Sequence, residues 1–152
     1  MKPSKRLLAA TCTALLMSGA QAADNHTINI SATVADFCRF NAASSNVNFT
    51  LDPSATTTVM QTASILYRCT KGTTPVFGFS SASTSSATDG TLGNAGPDTI
   101  AYTYATSAPV DGSGLGAFQD KTLSVDVSVN QANAANVTPG TYTDTIAITL
   151  NP

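Results

Sequence analysis

Cysteine is the residue type with the clearest chemical potential in this 152-residue chain, which contains three of them. Cys12 lies in an apolar N-terminal run that we assign below to a secretory signal, so Cys38 and Cys69 remain. An even pair in an exported protein predicts one disulfide. In the chain-entropy model, a closed loop of about thirty residues stabilises the fold by roughly 3–4 kcal/mol. Two free, buried thiols are the alternative.

The chain contains few residues that could act in catalysis. The chain has one histidine, His26, and its acidic residues are all aspartates, with no glutamate. A Ser–His–Asp arrangement needs a held, oriented imidazole, and His26 lies close to the predicted start of the exported chain. One histidine and two cysteines that we expect to be oxidised are too few ligands for a zinc site. We therefore expect no enzymatic activity, no metal site and no cofactor.

Three loops contain residues that also occur in ligand-binding loops. Asp89-Gly90, Asp98 and the stretch 111–114 offer oxygen ligands of the kind that calcium binds. Their spacing matches no defined calcium loop, and turn formation explains them better. The stretch 112–116 is glycine-rich, but no Lys-Ser/Thr pair follows it, which argues against a phosphate site.

Tyr102 and Tyr104 share one face of a predicted strand. They could form an aromatic platform for a ligand. Aromatic side chains on one strand face also pack against neighbouring strands and fill cores. We favour this core interpretation.

The N-terminus has the order of a secretory signal peptide. Lys2, Lys5 and Arg6 precede the apolar run Leu7–Met17, and small residues follow up to Ala22. A basic end, a short apolar stretch and a small-residue cleavage site are typical of exported proteins. The run is shorter than the roughly 20 residues that span a bilayer. We predict that residues 1–22 are a signal peptide and that the protein is exported.

The remaining chain is acidic and long enough for one domain. It has four basic residues against nine aspartates, so its net charge is −5. Nucleic-acid binding needs clustered Lys and Arg to neutralise phosphates, and anionic membrane surfaces attract the same residues. We therefore expect neither nucleic acid nor a membrane among its partners.

Alternation of apolar and polar residues predicts an all-β fold. Thr122–Asn130 and Thr141–Leu150 alternate most clearly, as in a half-solvated antiparallel sheet. Turn-forming residues fill 80–98 and 109–116 between the strands. About seven short strands predict an immunoglobulin-like β-sandwich. The weaker predicted strands are Val47–Leu51, Val59–Thr70, Pro75–Ser80 and Thr99–Ala105.

The stretch 26–35 alternates as well as any strand but has no tight turn to the next one. Its apolar face consists of Ile28, Ile30, Ala32 and Val34. The sequence printed ends soon after its last predicted strand, so we expect a sandwich that lacks its final strand. Such a sandwich exposes unpaired backbone groups, and a segment of another copy can fill the gap. Alternatively, 26–35 is the first strand of its own sandwich, and the pattern leaves both possibilities open.

Two motifs resemble those of a known family. Gly140-Thr-Tyr-Thr-Asp-Thr-Ile146, followed by alternating apolar residues, resembles the closing strand of chaperone–usher pilins. Cys69-Thr-Lys-Gly-Thr73, before an apolar strand, is similar to the second cysteine motif of the spore coat protein U domain of archaic chaperone–usher pilins, which include the Csu pilus subunits. The first cysteine of that domain follows an alternating N-terminal segment, as Cys38 does here. The resemblance covers most of the chain after residue 22.

The resemblance implies a structural subunit of a bacterial surface fibre. Residues 23–36 would be a donor-strand extension, and 37–152 a single pilin-like domain. Partners would be other pilus subunits, a periplasmic chaperone and an outer-membrane usher. The fibre would serve surface attachment and biofilm formation. The implied site residues are the disulfide Cys38 and Cys69, the donor residues Ile28, Ile30, Ala32 and Val34, and the closing-strand motif Gly140, Tyr142, Asp144, Ile146, Ile148 and Leu150.

Two other functional classes stay open at this stage. A self-complete secreted β-sandwich could bind a ligand such as a surface glycan, with residues 26–35 paired within their own chain. A hydrolase is the third possibility, and the missing catalytic constellation argues against it.

Overall fold

The computed structural model of the protein describes residues 24–84 and 88–152, so the predicted signal peptide lies outside the described residues. Residues 34–152 form one compact unit, and the described residues that precede it, 24–33, belong to a separate one. In the described part of the chain, no helix is long and apolar enough to cross a membrane. The elements are β1 (Cys38–Phe40), β2 (Thr58–Cys69), β3 (Val76–Ser81), β4 (Asp89–Gly93), β5 (Thr99–Thr106), β6 (Lys121–Asn130), a 3-10 turn (Gln131–Ala134) and β7 (Ile146–Asn151).

The strands form two antiparallel sheets. The larger sheet has the order β1-β2-β6-β5-β4, and the smaller one pairs β3 with β7. Alternation places one face of each strand in the core, as in β6, where every second side chain from Leu123 to Val129 is buried. The all-β class and the sandwich architecture predicted from the sequence are confirmed.

Aromatic side chains join the two sheets. The ring of Phe77 on β3 meets that of Tyr67 on β2 edge-to-face at 5.1 Å, and Phe79 lies 6.3 Å from Tyr104 on β5. Tyr102 and Tyr104 are almost fully buried. The core interpretation of these two tyrosines is therefore correct.

Some predicted strand boundaries are wrong. Val47–Leu51 forms no strand, although its apolar residues alternate. The last strand begins at Ile146 rather than at Thr141, because Thr143 makes an isolated bridge to Gly93 instead of joining the ladder with β3. Residues 24–37 are assigned to no strand within the described chain.

The sequence prediction missed two strands. β4 lies inside the predicted turn cluster 80–98, since its residues Asp-Gly-Thr-Leu-Gly have a turn-like composition. Pairing with β5 makes it a strand, and a Cβ on Gly90 would lie 2.2 Å from the ring of Tyr102. β1 is only three residues long and pairs with the end of β2.

The glycine-rich loop packs its backbone against the end of β2. The Gly112 N–H donates to Thr73 O and the Gly114 N–H to Cys69 O, at 2.9 and 3.0 Å. The Asp111 carboxylate accepts from the Thr74 hydroxyl at 2.7 Å. Asp111, Gly112 and Gly114 of this loop therefore make hydrogen bonds within the domain.

Replacing Gly112 by alanine is expected to lower the free energy of unfolding by about 1–3 kcal/mol, because the new methyl group would overpack this loop. An added Cβ would lie 2.3 Å from Thr70 O. Gly116→Ala is the matched control, since its Cβ would have no atom nearer than Gln119 Cγ at 4.0 Å. Urea unfolding of both variants measures the difference, and equal stability of the two would contradict the packing described.

Candidate functional site

The edge of β7 that faces away from β3 has no strand partner in the described chain. The Ala82 N–H donates to Thr145 O at 2.9 Å, so Thr145 and every second residue after it direct their backbone groups toward β3. The backbone groups of Ile146, Ile148 and Leu150 therefore point to the other side, where a further strand could pair with them.

The segment 42–51 is a second stretch with unpaired backbone. None of its peptide groups makes a backbone hydrogen bond within the described residues. It is held at its ends, where the Asn41 N–H donates to Leu66 O and the Asp52 N–H to Gln131 Oε1, both at 2.9 Å. Between these points Val47 and Phe49 alternate, half-buried, with exposed polar residues. The segment has the side-chain pattern of a strand without the pairing.

The apolar side chains of these two stretches are incompletely covered. Val47, Phe49 and Leu51 are only half-buried, although they pack against the core cluster. Core residues between the sheets, such as Leu123, are almost fully buried. Both the strand with the unpaired edge, β7, and the unpaired segment 42–51 therefore keep apolar side chains that are partly open to solvent. The half-buried side chains of β7 are Ile146, Ile148 and Leu150.

The opposite edge of the sandwich is closed. Gly93 at the end of β4 exchanges two backbone hydrogen bonds with Thr143, at 3.0 and 2.8 Å. The Thr91 N–H, also on β4, donates to the Ser83 hydroxyl at 2.8 Å. The contact with Thr143 joins the larger sheet to the chain that leads into β7, and the contact with Ser83 joins it to the chain that follows β3.

Asp144 of the closing motif is the centre of this closed edge. Its Oδ2 accepts hydrogen bonds from the hydroxyls of Ser81, Ser83 and Tyr102 at 2.6, 2.7 and 2.7 Å. Burial alone would raise the pKa of Asp144, but these donors and the Thr145 N–H lower it below its ordinary value. Burial together with the Asp144 charge raises the pKa of Tyr102 to about 12.

Removing the Asp144 carboxylate is expected to destabilise the fold by about 2–3 kcal/mol, because it leaves partly buried hydroxyls without an acceptor. Asp144→Ala should show this loss in urea unfolding at neutral pH. The folded-state pKa of Asp144 is lowered, so its contribution is present above the ordinary value of 3.8 and disappears as the pH falls through the folded-state pKa. If the difference in the free energy of unfolding between Asp144→Ala and the unmodified protein stayed constant down to this acid range, it would contradict the stabilising role assigned to the Asp144 carboxylate.

Tyr142 fixes the turn that leads into β7. Its hydroxyl donates to Thr138 O, four residues upstream, at 2.7 Å. The Thr138 N–H and hydroxyl both donate to Asp98 Oδ2 at 2.8 Å. The arrangement is that of a tyrosine corner, which is a recurrent feature of immunoglobulin-like sandwiches. Gly140 lies in the turn between Thr138 and Tyr142.

Tyr142→Phe is expected to lower the free energy of unfolding by about 1 kcal/mol, since it removes one hydrogen bond and keeps the ring. Thermal or urea unfolding measures the change. An unchanged stability would mean that the corner hydroxyl contributes nothing.

The predicted disulfide is confirmed. Cys38 and Cys69 are bonded, with a sequence separation of 31 and a Cα–Cα distance of 4.1 Å. They are direct partners in the register of β1 and β2. The bond therefore fastens the short first strand, and with it the point at which the N-terminal segment joins the domain.

The N-terminal segment presents its predicted donor residues to solvent. Ile28 and Ile30 are 75% and 90% exposed, and Val34 is 81% exposed. Ala32 and the single histidine, His26, are exposed as well. Three branched apolar side chains of this short segment are therefore largely exposed.

Sequence reasoning identified the residues of β7 but not the partners of Asp144. Ser81 and Ser83 come from one stretch of the chain and Tyr102 from another, and both are distant from Asp144 in sequence, so no local pattern connects them with Asp144. The alternation of 47–51 gave a usable indication of inward-facing side chains, although it suggested a paired strand.

Comparison with known proteins gives one match. No curated protein and no solved structure matches the chain. The family model described as Spore Coat Protein U domain matches residues 24–149, which is most of the chain and includes the described N-terminal segment and the closing motif up to Ile148. The chain therefore belongs to the Spore Coat Protein U domain family, a structural, pilin-like and non-enzymatic family of surface pilus or fimbrial subunits that assemble with other subunits.

Proposed function

We propose that this protein is a subunit of an archaic chaperone–usher pilus that polymerises by donor-strand complementation. Residues 23–36 are the donor extension and residues 37–152 the acceptor domain. A periplasmic chaperone holds the incomplete domain before an outer-membrane usher assembles it. The fibre serves attachment to surfaces and biofilm formation.

The unpaired edge of β7 is the observation that carries this proposal. Ile146, Ile148 and Leu150 each direct one N–H and one C=O to this edge. An added strand would satisfy these groups, which is the β-augmentation mode of recognition. Its inward side chains would cover the apolar side that the domain leaves open.

The N-terminal segment has the chemistry of such a strand. A segment of seven residues, 28–34, presents four apolar side chains on one face and polar ones on the other. Burying Ile28, Ile30 or Val34 fully would contribute about 1.5–3 kcal/mol each. Donation from one copy to the next is a head-to-tail contact that does not close, so it produces a fibre.

Moving the segment within the chain tests the proposal. One protein is the exported chain, residues 23–152. The other lacks residues 23–35 and carries that segment behind Pro152 on a flexible linker. We expect the rearranged protein to be a monomer with a sharp, higher melting temperature, and the exported chain to be polymeric, aggregated or bound to a chaperone.

A third protein also lacks residues 23–35 and carries a Gly/Ser tail of equal length behind Pro152. It controls for the effect of the added tail itself. Size exclusion and thermal melting of the three proteins give the answer. A stable monomer from the exported chain, with the rearranged protein less stable, would overturn the proposal in favour of a self-complete binding module.

A further inference from the structure

Two of the four basic residues of the described chain lie side by side on the outer face of the larger sheet, the face turned away from the core. Arg39 is the exposed middle residue of β1, between half-buried Cys38 and Phe40. Its direct partner in the register of β1 and β2 is Arg68. Like charges directly opposite each other destabilise a sheet. The fold therefore keeps this arginine pair at a cost in stability.

Only one of the two arginines has a carboxylate partner. Arg68 binds both oxygens of Asp120, with Nε 2.5 Å from Oδ1 and Nη2 3.2 Å from Oδ2. The Asn41 side-chain amide donates to the same Oδ1. These hydrogen bonds lower the pKa of Asp120, so it is ionised at neutral pH. Arg39 has no ion pair in the described part of the chain. Two arginines and one aspartate leave a net charge of +1.

Two further carboxylates lie at this end of the sandwich and are engaged elsewhere. Asp36 accepts a hydrogen bond from the Thr73 hydroxyl and Asp111 from the Thr74 hydroxyl, both at 2.7 Å. Neither forms an ion pair with an arginine within the residues that the structure describes. The Arg39 guanidinium therefore has no carboxylate of its own.

A shallow depression of about 340 Å³ lies beside the arginine pair, lined by Arg39, Phe40, Asn41 and Arg68. Its volume is at the lower end of the range of ligand pockets, about 300–1,000 Å³. A planar guanidinium binds a carboxylate through two parallel hydrogen bonds. One carboxylate would balance the net charge of +1. A phosphate monoester, with nearly two negative charges, would exceed this charge and face Asp120 as well.

The groups around the depression are neutral. Leu66 precedes Arg68 by two residues on the same face of β2 and is 42% exposed. Its register partner on β6 is Thr122, which is also exposed. The Thr122 hydroxyl can donate and accept hydrogen bonds, and the Asn41 side-chain oxygen can accept them. An apolar side chain beside neutral hydrogen-bonding groups suits the C–H and O–H groups of a sugar ring.

The same face disfavours a ligand with many carboxylates, such as an acidic peptide. Asp126 follows Thr122 by four residues on β6, a distance of about 13 Å. It would repel further carboxylates of a ligand that extends along the strands from Arg39. A sugar acid has one carboxylate surrounded by hydroxyls, which matches one unpaired arginine among neutral groups.

We propose that this outer face binds a uronic acid unit of an acidic polysaccharide. Arg39 holds the carboxylate through two hydrogen bonds, and the edge of Arg68 that is turned away from Asp120 adds a third. Asn41 and Thr122 bind hydroxyls of the sugar, and its ring lies on Leu66. The inference goes beyond the proposed function and does not depend on it, because all these residues belong to one domain.

A labelled uronic acid oligosaccharide tests the proposal directly. Fluorescein-labelled trigalacturonate would be titrated with the exported chain, residues 23–152, and its fluorescence anisotropy followed at about 0.01 M salt, where the screening length is about 30 Å. We expect saturable binding that unlabelled trigalacturonate displaces. Its neutral methyl ester should not displace it, because the ester lacks the carboxylate. The competitors that represent other ligands are tri-glutamate and inorganic phosphate, and displacement by either at the same concentration would overturn the sugar assignment.

Arg39→Gln tests the residue that carries the proposal. We expect binding about 10–100-fold weaker, as for the loss of hydrogen bonds to a charged group. Arg39→Lys keeps the charge but not the planar guanidinium, and it should remain at least about 5-fold weaker than the unmodified chain. Lys71→Gln is the matched control, since it removes an equal charge from an exposed residue outside the depression. Its affinity should stay within about 2-fold.

Thermal melting separates a binding role of Arg39 from a structural one. Arg39→Gln removes one of two opposed like charges, so its melting temperature should be unchanged or higher. A lower melting temperature with unchanged binding would show that Arg39 serves the fold, and it would overturn the proposal. So would a failure of the unmodified chain to bind trigalacturonate, or equal loss of affinity in Arg39→Gln and Lys71→Gln. None of these failures bears on the donated strand, so the proposed function would stand.

Discussion

Ile30→Asp is expected to abolish polymerisation of the exported chain while leaving the domain folded. Ile30 is 90% exposed, so the change removes no contact that stabilises the domain itself. In the fibre the same side chain would enter the apolar opening beside β7. Losing its burial and placing a charge there should weaken the subunit contact by at least about 4 kcal/mol, or roughly 1,000-fold.

Asn29→Asp is the matched control, because it adds the same charge on the opposite face of the segment. Sedimentation of polymers and circular dichroism of the soluble fraction separate assembly from folding. Equal polymerisation of the two variants would show that the face formed by Ile28, Ile30, Ala32 and Val34 is not the buried one.

Removing the disulfide is expected to lower the free energy of unfolding by roughly 3–4 kcal/mol. The bond closes a loop with a sequence separation of 31 and fastens β1, which has only three residues. Without it, β1 has few contacts to keep it on the edge of the larger sheet. The double variant Cys38→Ser with Cys69→Ser measures this loss in urea unfolding.

A reducing agent provides the control for the disulfide. It should destabilise the unmodified chain by a similar amount and leave the double variant unchanged. A double variant that unfolds within about 1 kcal/mol of the unmodified chain would contradict the role assigned to the bond.

Strands with one buried face were predictable from the sequence, and strands defined by their partners were not. In β6 the alternation from Leu123 to Val129 reports directly on burial, so its prediction needed no knowledge of neighbours. β4 has too many turn-forming residues for such a pattern and is a strand because β5 pairs with it. Val47–Leu51 has the pattern without a partner. Pairing is a property of two segments, which a local pattern cannot contain.

The candidate site was predictable only in part, for a similar reason. The apolar residues of β7 and of the N-terminal segment follow from alternation and from the family resemblance. The network around Asp144 depends on hydroxyls that the fold brings together from β3, β5 and the residue Ser83. The basic residues are separated along the chain between Arg39 and Lys121, and the β1–β2–β6 register places them at one end.

Hydrogen exchange at the edge of β7 tests the central claim most directly. The chain without residues 23–36 would be titrated with a peptide of residues 24–36, and amide exchange followed residue by residue by NMR. The account predicts that the amides of Ile146, Ile148 and Leu150 become protected as the peptide binds. Binding that leaves these three amides in fast exchange, or no binding at all, would contradict it.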